Sequence, residues 1–454
     1  MVGFDGFYRL LKVPLIPADG GVFLLTKWAR KNIKRIMPSE KDDRPFLIFR
    51  KTQRNRYTLP ALLGCLEEEG LTKEFRILIA GSLAEISPEA AFGKSIVAFS
   101  FMTPHLLQVK EEVEKLRMAL GKETTFLAGG SHATGDPQGT LRLGFDFVFV
   151  GESEQTFPIF LHQFLEGKLP DAGILTGDKN SSLFTSYPPH SLEQRFFSPM
   201  EITRGCPYRC AFCQTPHIFG HALRHRSAAS VAIHLKRAVP YGYRQSSFIS
   251  PNAFSYGAAG PTGPNIKPME ELLAACTEAG VSGVRFGCFP SEVRPDWVHP
   301  EVLQLVKRFC QNKTIVLGAQ SGSDSLLAQL NRGHTAEQAL TATRWIRQAG
   351  FMPHVDFVFG FPGETTEDRQ LSLRLMEKMI EEQGAKIHAH TYLPLPGTPL
   401  FHKEPSRLDS ETKNELMRWE GKKKLDGWWK EQEVMAWKIV EWRDQGLIGI
   451  SHPA

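Results

Sequence analysis

Three cysteines within eight residues, Cys206, Cys210 and Cys213, are the most chemically pointed grouping in the chain. Thiolates are the soft ligands that hold iron–sulfur clusters and zinc. Three of them serve three irons of a [4Fe–4S] cluster and leave the fourth iron open. An open position separates a catalytic metal site from a closed structural one. Zinc is the other reading; it needs a fourth ligand at close range, for which His217 and His221 are the candidates. The other four of the seven cysteines, Cys65, Cys276, Cys288 and Cys310, are scattered singly. That pattern is not the dispersed, paired framework of a disulfide-stapled secreted protein. No secretory pattern opens the sequence, and no apolar run approaches the roughly 18 residues of a membrane span. A cytoplasmic protein without a membrane span is therefore expected. Lys plus Arg number 54 against 49 Asp plus Glu, a net +5. So small a basic excess predicts no dedicated nucleic-acid partner.

Elements must bring that loop and its partners together. At roughly 150 residues per domain, 454 residues predict about three domains. The hydrophobic share of 42% and charged share of 23% are those of a globular chain. Residues 1–44 read as an N-terminal extension, with a basic amphipathic helix over 22–36 that packs on the first domain; a membrane-surface or partner contact is the competing reading. Residues 45–180 alternate short apolar strands (46–49, 76–80, 95–99, 125–128 and 147–150) with helices over 59–69 and 107–120. Nearly all-apolar, β-branched strands of this kind predict a parallel, doubly wound (Rossmann-like) α/β sheet, with its ligand crevice at the strand carboxyl ends. Those ends carry Ser100-Phe101-Met102-Thr103, Gly129-Gly130-Ser131-His132 and Gly151-Glu152. Turn-rich residues 170–198 read as a linker. Strands at 200–203, 246–249, 284–286, 314–319, 354–359 and 385–391 alternate with helices and predict a partial (β/α)6 TIM barrel over 196–400. Its site belongs at the strand carboxyl ends. Residues 401–454 read as a helical C-terminal region packing on the barrel.

The cysteine segment, Arg204-Gly205-Cys206-Pro-Tyr-Arg-Cys210-Ala-Phe212-Cys213, resembles the cluster motif of the radical S-adenosylmethionine (SAM) superfamily, C-x3-C-x-aromatic-C with Phe212 as the aromatic. The resemblance implies that SAM binds the open iron and is cleaved by one electron to methionine and a 5′-deoxyadenosyl radical. A flavodoxin- or ferredoxin-type donor would supply that electron. Ser250-Pro251-Asn252 stands where many members receive the SAM amine, although the usual Gly-Gly-Glu is absent. Gly318-Ala-Gln320-Ser321-Gly322-Ser323 is similar to a fifth-strand motif contacting SAM ribose and carboxylate, with Gln320 where Glu is frequent. Arg332 matches a carboxylate-gripping position, and its planar fork suits that task. Phe359-Gly360-Phe361-Pro362-Gly363-Glu364 is similar to the sixth-strand motif flanking the adenine. Glu292 and Arg294, at or beyond the fourth strand end, are candidates to orient SAM or substrate; a loop salt bridge is the competing reading.

A doubly wound domain ahead of such a barrel is similar to the cobalamin-binding radical SAM enzymes. The three strand-end segments match that family's corrinoid contacts. The Asp-x-His-x-x-Gly motif that supplies histidine to cobalt elsewhere is absent. The lower cobalt face would then be open, or capped from the loop Arg50–Tyr57, in which Thr52, Arg54 and Asn55 are the candidates. Gln214-Thr-Pro, Arg224-His-Arg226-Ser227 and Phe286–Pro295 resemble a subgroup containing a protein glutamine C-methyltransferase of methanogens. The resemblance implies methyl transfer from SAM, via methylcobalamin, to an unactivated sp3 carbon of a protein or small-molecule substrate. Cobalamin-assisted oxidation, cyclisation or rearrangement fits the same motifs. A non-catalytic iron–sulfur or zinc protein is the remaining alternative.

Overall fold

The computed structural model describes residues 42–86 and 94–449. The expected helix over 22–36, and nearly all of the expected N-terminal extension, lie outside the described residues.

The first sheet has six parallel strands: β1 (Phe46–Arg50), β2 (Arg76–Ala80), β3 (Ser95–Ser100), β4 (Thr124–Gly129), β5 (Phe147–Val150) and β6 (Ile174–Thr176), in the order β2-β1-β3-β4-β5-β6. This is the doubly wound order in which the switch point falls between β1 and β3. Alternation along β1 explains both layers. Phe46 and Ile48 join one core, with Val109, Val113 and Leu116 of the helix Leu106–Leu120. Leu47 and Phe49 join the other, with Leu59 and Leu63 of the helix Thr58–Glu68 and Phe157 and Phe160 of the helix Thr156–Glu166.

The segment expected as a linker over 170–198 differs: it supplies the edge strand β6, and Phe184 packs beneath a group of guanidinium groups, 4.4 Å from that of Arg204. Burial of apolar side chains and cation–π contact give this turn-rich stretch a fixed place.

The barrel begins with β7 (Met200–Glu201) and β8 (Thr203–Arg204); β8 pairs antiparallel with β9 (Arg224–His225). It continues through β10 (Gln245–Ile249), β11 (Gly283–Arg285), β12 (Thr314–Gln320), β13 (Met352–Phe359) and β14 (Lys386–Thr391), ending on β15 (Leu425–Gly427). Two parallel sheets, β11-β10-β7 and β12-β13-β14-β15, make an open arc joined through the single Val293–Leu317 bridge. Outward residues such as Val355, Phe357, Ile387 and Ala389 fill the layer beneath the helices. The chain is thus an N-terminal doubly wound domain followed by a partial (β/α)6 barrel and a mostly helical tail.

Two expectations shift. The strand series matches the expected one, so β12 is fourth and β13 fifth, one place earlier than the family positions that the motifs resemble. The motifs expected on strands five and six therefore sit one strand earlier, and Glu292–Arg294 follows the third strand. The tail is also more than a barrel cover. Its helix Ser410–Gly421 places Leu416 and Trp419 in the barrel core, whereas Ile439 and Trp442 of the helix Trp429–Asp444 join the core of the first sheet. Between these helices, β15 extends the barrel arc.

Candidate functional site

The cysteine loop leaves β8 through Gly205, whose φ of 83° and close approach to the Ala222 carbonyl exclude a side chain. Its backbone is tied down on several sides: Cys206 N donates to Gly220 O (3.0 Å), Ala211 N to Leu330 O (3.0 Å) and Cys213 N to Cys210 O (3.1 Å). All three cysteines are free thiols, Cys210 buried and the others half-buried. Burial pushes the Cys206 thiol up to about 11 and raises Cys213 as well. Such thiols stay protonated at neutral pH until a metal displaces the proton. Arg332 Nη1 reaches Cys210 Sγ at 3.5 Å, while its Nη2 donates to Gly318 O at 2.8 Å. Phe212 stacks toward Phe361 (ring centroids 5.3 Å), and Phe361 toward Tyr392 (5.5 Å), walling one side.

The donor set fits an iron–sulfur cluster better than zinc. Ligands of one zinc ion lie within about 4 Å of each other, given Zn–S bonds of about 2.3 Å. Among the described residues, the trio of His, Cys, Asp or Glu ligand atoms that comes within 4.8 Å is His354, His388 and Asp426; the three thiols are not so gathered. His221 turns Nδ1 toward Cys206 O at 3.3 Å and remains exposed.

Beside the loop, the segments after β10, β11 and β12 converge. Asn252 Oδ1 accepts from Arg294 N (3.2 Å), and Ser250 Oγ donates to Asn252 O (2.9 Å). The Arg294 guanidinium lies 3.4 Å over the Tyr208 ring, 3.0 Å from Asp296 and 2.5 Å from Arg332 O. Gln320 sits at a register irregularity with φ of 72°, and Ser321 Oγ is engaged with Ser372 Oγ at 3.1 Å. Gly360 N donates to Glu364 Oε2 at 2.6 Å. Buried donors without a hydrogen-bond partner here include Asn252 Nδ2, Arg294 Nη1 and Arg332 Nε. Unmade bonds at buried groups are costly. A ligand bearing a carboxylate would satisfy them, which fits the amino-acid end of SAM.

Below them Glu292 is enclosed by protein yet open to the barrel lumen. Its carboxyl bonds to that of Asp356; burial pushes both upward from the ordinary carboxylate range, the Glu292 carboxylate raises Asp356 further, and the bond from Asp356 draws Glu292 part of the way back. The pair holds a proton to higher pH than either would alone. Asp356 was not among the sequence candidates; its place mid-strand in an apolar run was the available signal.

The crevice at the first sheet's carboxyl ends is a cavity of about 400 Å3, within the range of ligand pockets (about 300–1,000 Å3). Of the sequence candidates, Arg54, Asn55, Ser100, Phe101, Met102, Gly129, Gly130, Ser131, Gly151 and Glu152 line it; Thr52, Thr103 and His132 lie outside that lining. Asn55 Nδ2 donates to Arg50 O (2.7 Å) and Ser100 O (3.1 Å), bracing the switch point. Thr103 Oγ1 and His132 Nδ1 are 3.0 Å apart behind the wall, and burial lowers His132 to about 3, keeping it neutral. At Gly130, with φ of 93°, a Cβ would lie 2.9 Å from Phe101 backbone atoms. The small-residue floor is what a broad, flat ligand with a nucleotide tail requires, so the crevice fits a corrinoid.

Its opposite wall comes from the barrel mouth: Glu201, Arg204, Ile218, Phe219 and Ile249. Arg204 is the residue sequence reasoning missed, although it stands two positions before Cys206. It binds Glu152 (2.7 Å), Glu154 (2.6 Å) and Glu201 (2.6 Å), and Glu152 is bound also by Arg224. The Glu152 carboxylate is thereby committed to joining the two domains.

The comparisons with known proteins agree with this geometry. The radical SAM superfamily model matches residues 200–376, and the B12 binding domain model matches residues 89–161. The chain thus carries a radical SAM domain, with a B12 binding domain ahead of it. Its cofactors are accordingly a [4Fe–4S] cluster, SAM and cobalamin. It is 25% identical over 364 residues to the uncharacterized protein MK0932 of Methanopyrus kandleri, covering 65% of this chain and 67% of that one. It is 30% identical to the tRNA-2-methylthio-N(6)-dimethylallyladenosine synthase of Pelobacter propionicus, covering half of each. The chain thus spans only about half the length of that second relative. The fold is shared with the radical S-adenosylmethionine methyltransferase TsrM of Kitasatospora setae, solved with cobalamin and a [4Fe–4S] cluster bound. Its TM-score is 0.58 at 16% identity, covering 79% of this chain and 77% of that one. No described helix is long and apolar enough to cross a membrane.

Proposed function

We propose that the protein is a cobalamin-dependent C-methyltransferase, placing a methyl group from SAM on an unactivated sp3 carbon of its substrate. That substrate is a glutamine or other residue of a protein, as in the subgroup its barrel motifs resemble. One observation carries this reading: the crevice of the B12 binding domain and the barrel mouth that bears the cysteine loop share a wall, through Arg204 and its neighbours. A carrier of methyl groups and a source of radicals would face one substrate there. When bound, the cluster and SAM supply a carbon radical that removes a hydrogen atom, and cobalamin supplies the methyl group that replaces it.

The chain's own residues position and shield. Cys206, Cys210 and Cys213 would hold the cluster, with Arg332 directing positive charge at Cys210. Asn252, Arg294 and Arg332 offer unpartnered donors to the SAM carboxylate. Tyr208 Oη, accepting from Trp297 Nε1 and facing Asp296 at 3.1 Å, fixes the ring on which Arg294 rests. Phe212, Phe361 and Tyr392 keep water from that side. The Glu292–Asp356 pair retains a proton and offers both a donor and an acceptor to a polar substrate such as an amide. A flavodoxin- or ferredoxin-type protein of a reducing cytoplasm supplies electrons.

The test is anaerobic reconstitution with iron, sulfide, cobalamin, SAM and a reductant, followed by product analysis with candidate peptides. Methyl transfer predicts S-adenosylhomocysteine and 5′-deoxyadenosine together with a methylated carbon. Deoxyadenosine alone, with substrate consumed, would replace this reading with oxidation, cyclisation or rearrangement.

A further inference from the structure

The lumen face of the last three barrel strands gathers residues that the cysteine loop and SAM site do not use. Register places Asp356 beside His388 and His388 beside Asp426 on adjacent parallel strands. Period-two alternation then sends His354, His388 and Asp426 to the face opposite the apolar core. Asp426 Oδ1 lies 2.5 Å from His388 Nδ1 and 3.4 Å from His354 Nε2. His354 Nε2 is shielded from solvent and makes no hydrogen bond. The two imidazole rings are 5.4 Å apart and nearly perpendicular, at 81°.

We propose that His354, His388 and Asp426 form a second metal site, taking a divalent first-row transition ion such as Zn2+ inside the barrel and separate from the cysteine loop. Two imidazole nitrogens and one carboxylate oxygen are a donor set such ions favour. The three ligand atoms already lie within 4.8 Å of one another, against the roughly 3.3 Å between donors that Zn–N bonds of about 2.0–2.1 Å imply. The outer contacts suit the role. Lys386 holds Asp426 Oδ2, leaving Oδ1 toward the histidines. His390, whose ring packs 4.5 Å from that of His388, is itself anchored by Gln432 at 3.2 Å. Fixed carboxylates and packed imidazoles are what orient first ligands in metal sites. The His354 and His388 side chains are 24% and 25% exposed and that of Asp426 42%, so an ion can enter. Three protein ligands leave a position free for water or a substrate oxygen.

Co2+ is the probe. The full chain, with its iron–sulfur cluster reconstituted so that the thiols are occupied, is equilibrated with Co2+, desalted and assayed for bound metal and visible absorption. The expected result, in corrinoid-free protein and after subtraction of the iron–sulfur spectrum, is one Co2+ per chain, with a ligand-field spectrum and no sulfur-to-cobalt charge-transfer band. His388→Ala and the isosteric Asp426→Asn should each weaken binding by at least about a hundredfold, the upper end of what loss of an outer contact alone costs. Iron and sulfide content matched to the parent chain reports an intact fold; should His388→Ala lose it, Asp426→Asn decides alone. No retained Co2+, binding that both variants preserve, or a spectrum dominated by sulfur ligation would overturn the proposal.

Discussion

At the carboxyl ends of the first sheet the ligand surface is made of backbone and small or apolar side chains, while the barrel lumen a short distance away is lined with ionisable groups. In the crevice, Gly129, Gly130, Ala98 and Ala128 set the floor, and the nearby charges are spent on each other. Glu152, Glu154 and Glu201 surround Arg204, and Arg224 closes on Glu152. In the lumen, the carboxyls of Glu292 and Asp356 bond each other and are both raised from the ordinary carboxylate range, and donors of Asn252, Arg294 and Arg332 stay unpaired. The first arrangement suits a large, preassembled cofactor recognised by shape. The second keeps polar capacity in reserve for groups that react.

Substitutions that break one region while sparing the other test this division. The largest effect is expected from Cys210→Ala, which removes the buried central ligand of the loop. Deoxyadenosine formation should vanish while corrinoid binding, measured by absorbance after gel filtration, is retained. Persistent deoxyadenosine would refute the cluster assignment. Next is Arg204→Met. It leaves Glu152, Glu154 and Glu201 facing each other with both the Arg204 and Glu152 side chains only 5% exposed. Breaking a buried pair from one side costs about 3–5 kcal/mol, so denaturant unfolding should show a loss of that size. Arg204→Lys should recover part of it.

A smaller and pH-dependent effect is expected at Glu364, buried beneath the barrel mouth. Burial raises its carboxyl to about 7 despite the Gly360 N–H and Arg369 nearby. Below about pH 4.5 both folded and unfolded chains hold the proton and there is no cost. As pH rises from there toward 7, the unfolded chain releases it first, so stability declines, and above 7 the loss is complete, at most about 3 kcal/mol. Glu364→Gln does not titrate. Its stability relative to the parent chain should therefore rise between pH 5 and 8 when measured by denaturant midpoint. A constant difference across that range would place the Glu364 titration elsewhere.

The two regions were also unequally legible in the sequence. Parallel sheet and barrel follow from apolar strands alternating with amphipathic helices, and the cysteine spacing declares its chemistry locally. Gly130, Ser131 and Gly151 were legible because a strand end with glycine has few other uses in such a sheet. What eluded local reading depends on packing between distant segments. Arg204 acquires its role only when residues 152, 154 and 224 arrive around it. Asp356 looks like one polar residue in a strand until the chain returns Glu292 beside it. Thr103 and His132 follow the right strand ends, but they stand in the helical turn Thr103–His105 and the short helix Ser131–Gly135, which turn them behind the crevice, where they bond each other. The tail's β15 is only three residues long, too short to carry a period, and it places Asp426 through sheet register alone.

The smallest effect sharpens the comparison most, because it alters a single methyl group in the crevice. Gly130 has φ of 93° and ψ of −173°, a region essentially reserved for glycine that costs other residues about 1–3 kcal/mol. In Gly130→Ala the new Cβ would also lie 2.9 Å from the Phe101 backbone and the Ser100 hydroxyl, both on the crevice wall. The chain should fold with a modest loss of stability, since the strain falls at the carboxyl end of β4 and reaches the core only through Phe101. Cobalamin affinity, read by titration of the cluster-loaded protein, should fall by about tenfold if roughly 1.4 kcal/mol of that strain is relieved only by displacing the wall. Cluster content and SAM binding should remain as in the parent chain, since Asn252, Arg294 and Arg332 are held by other segments. Equal loss of corrinoid and SAM binding would show that the two sites are mechanically one, and that shape and charge are not divided between them.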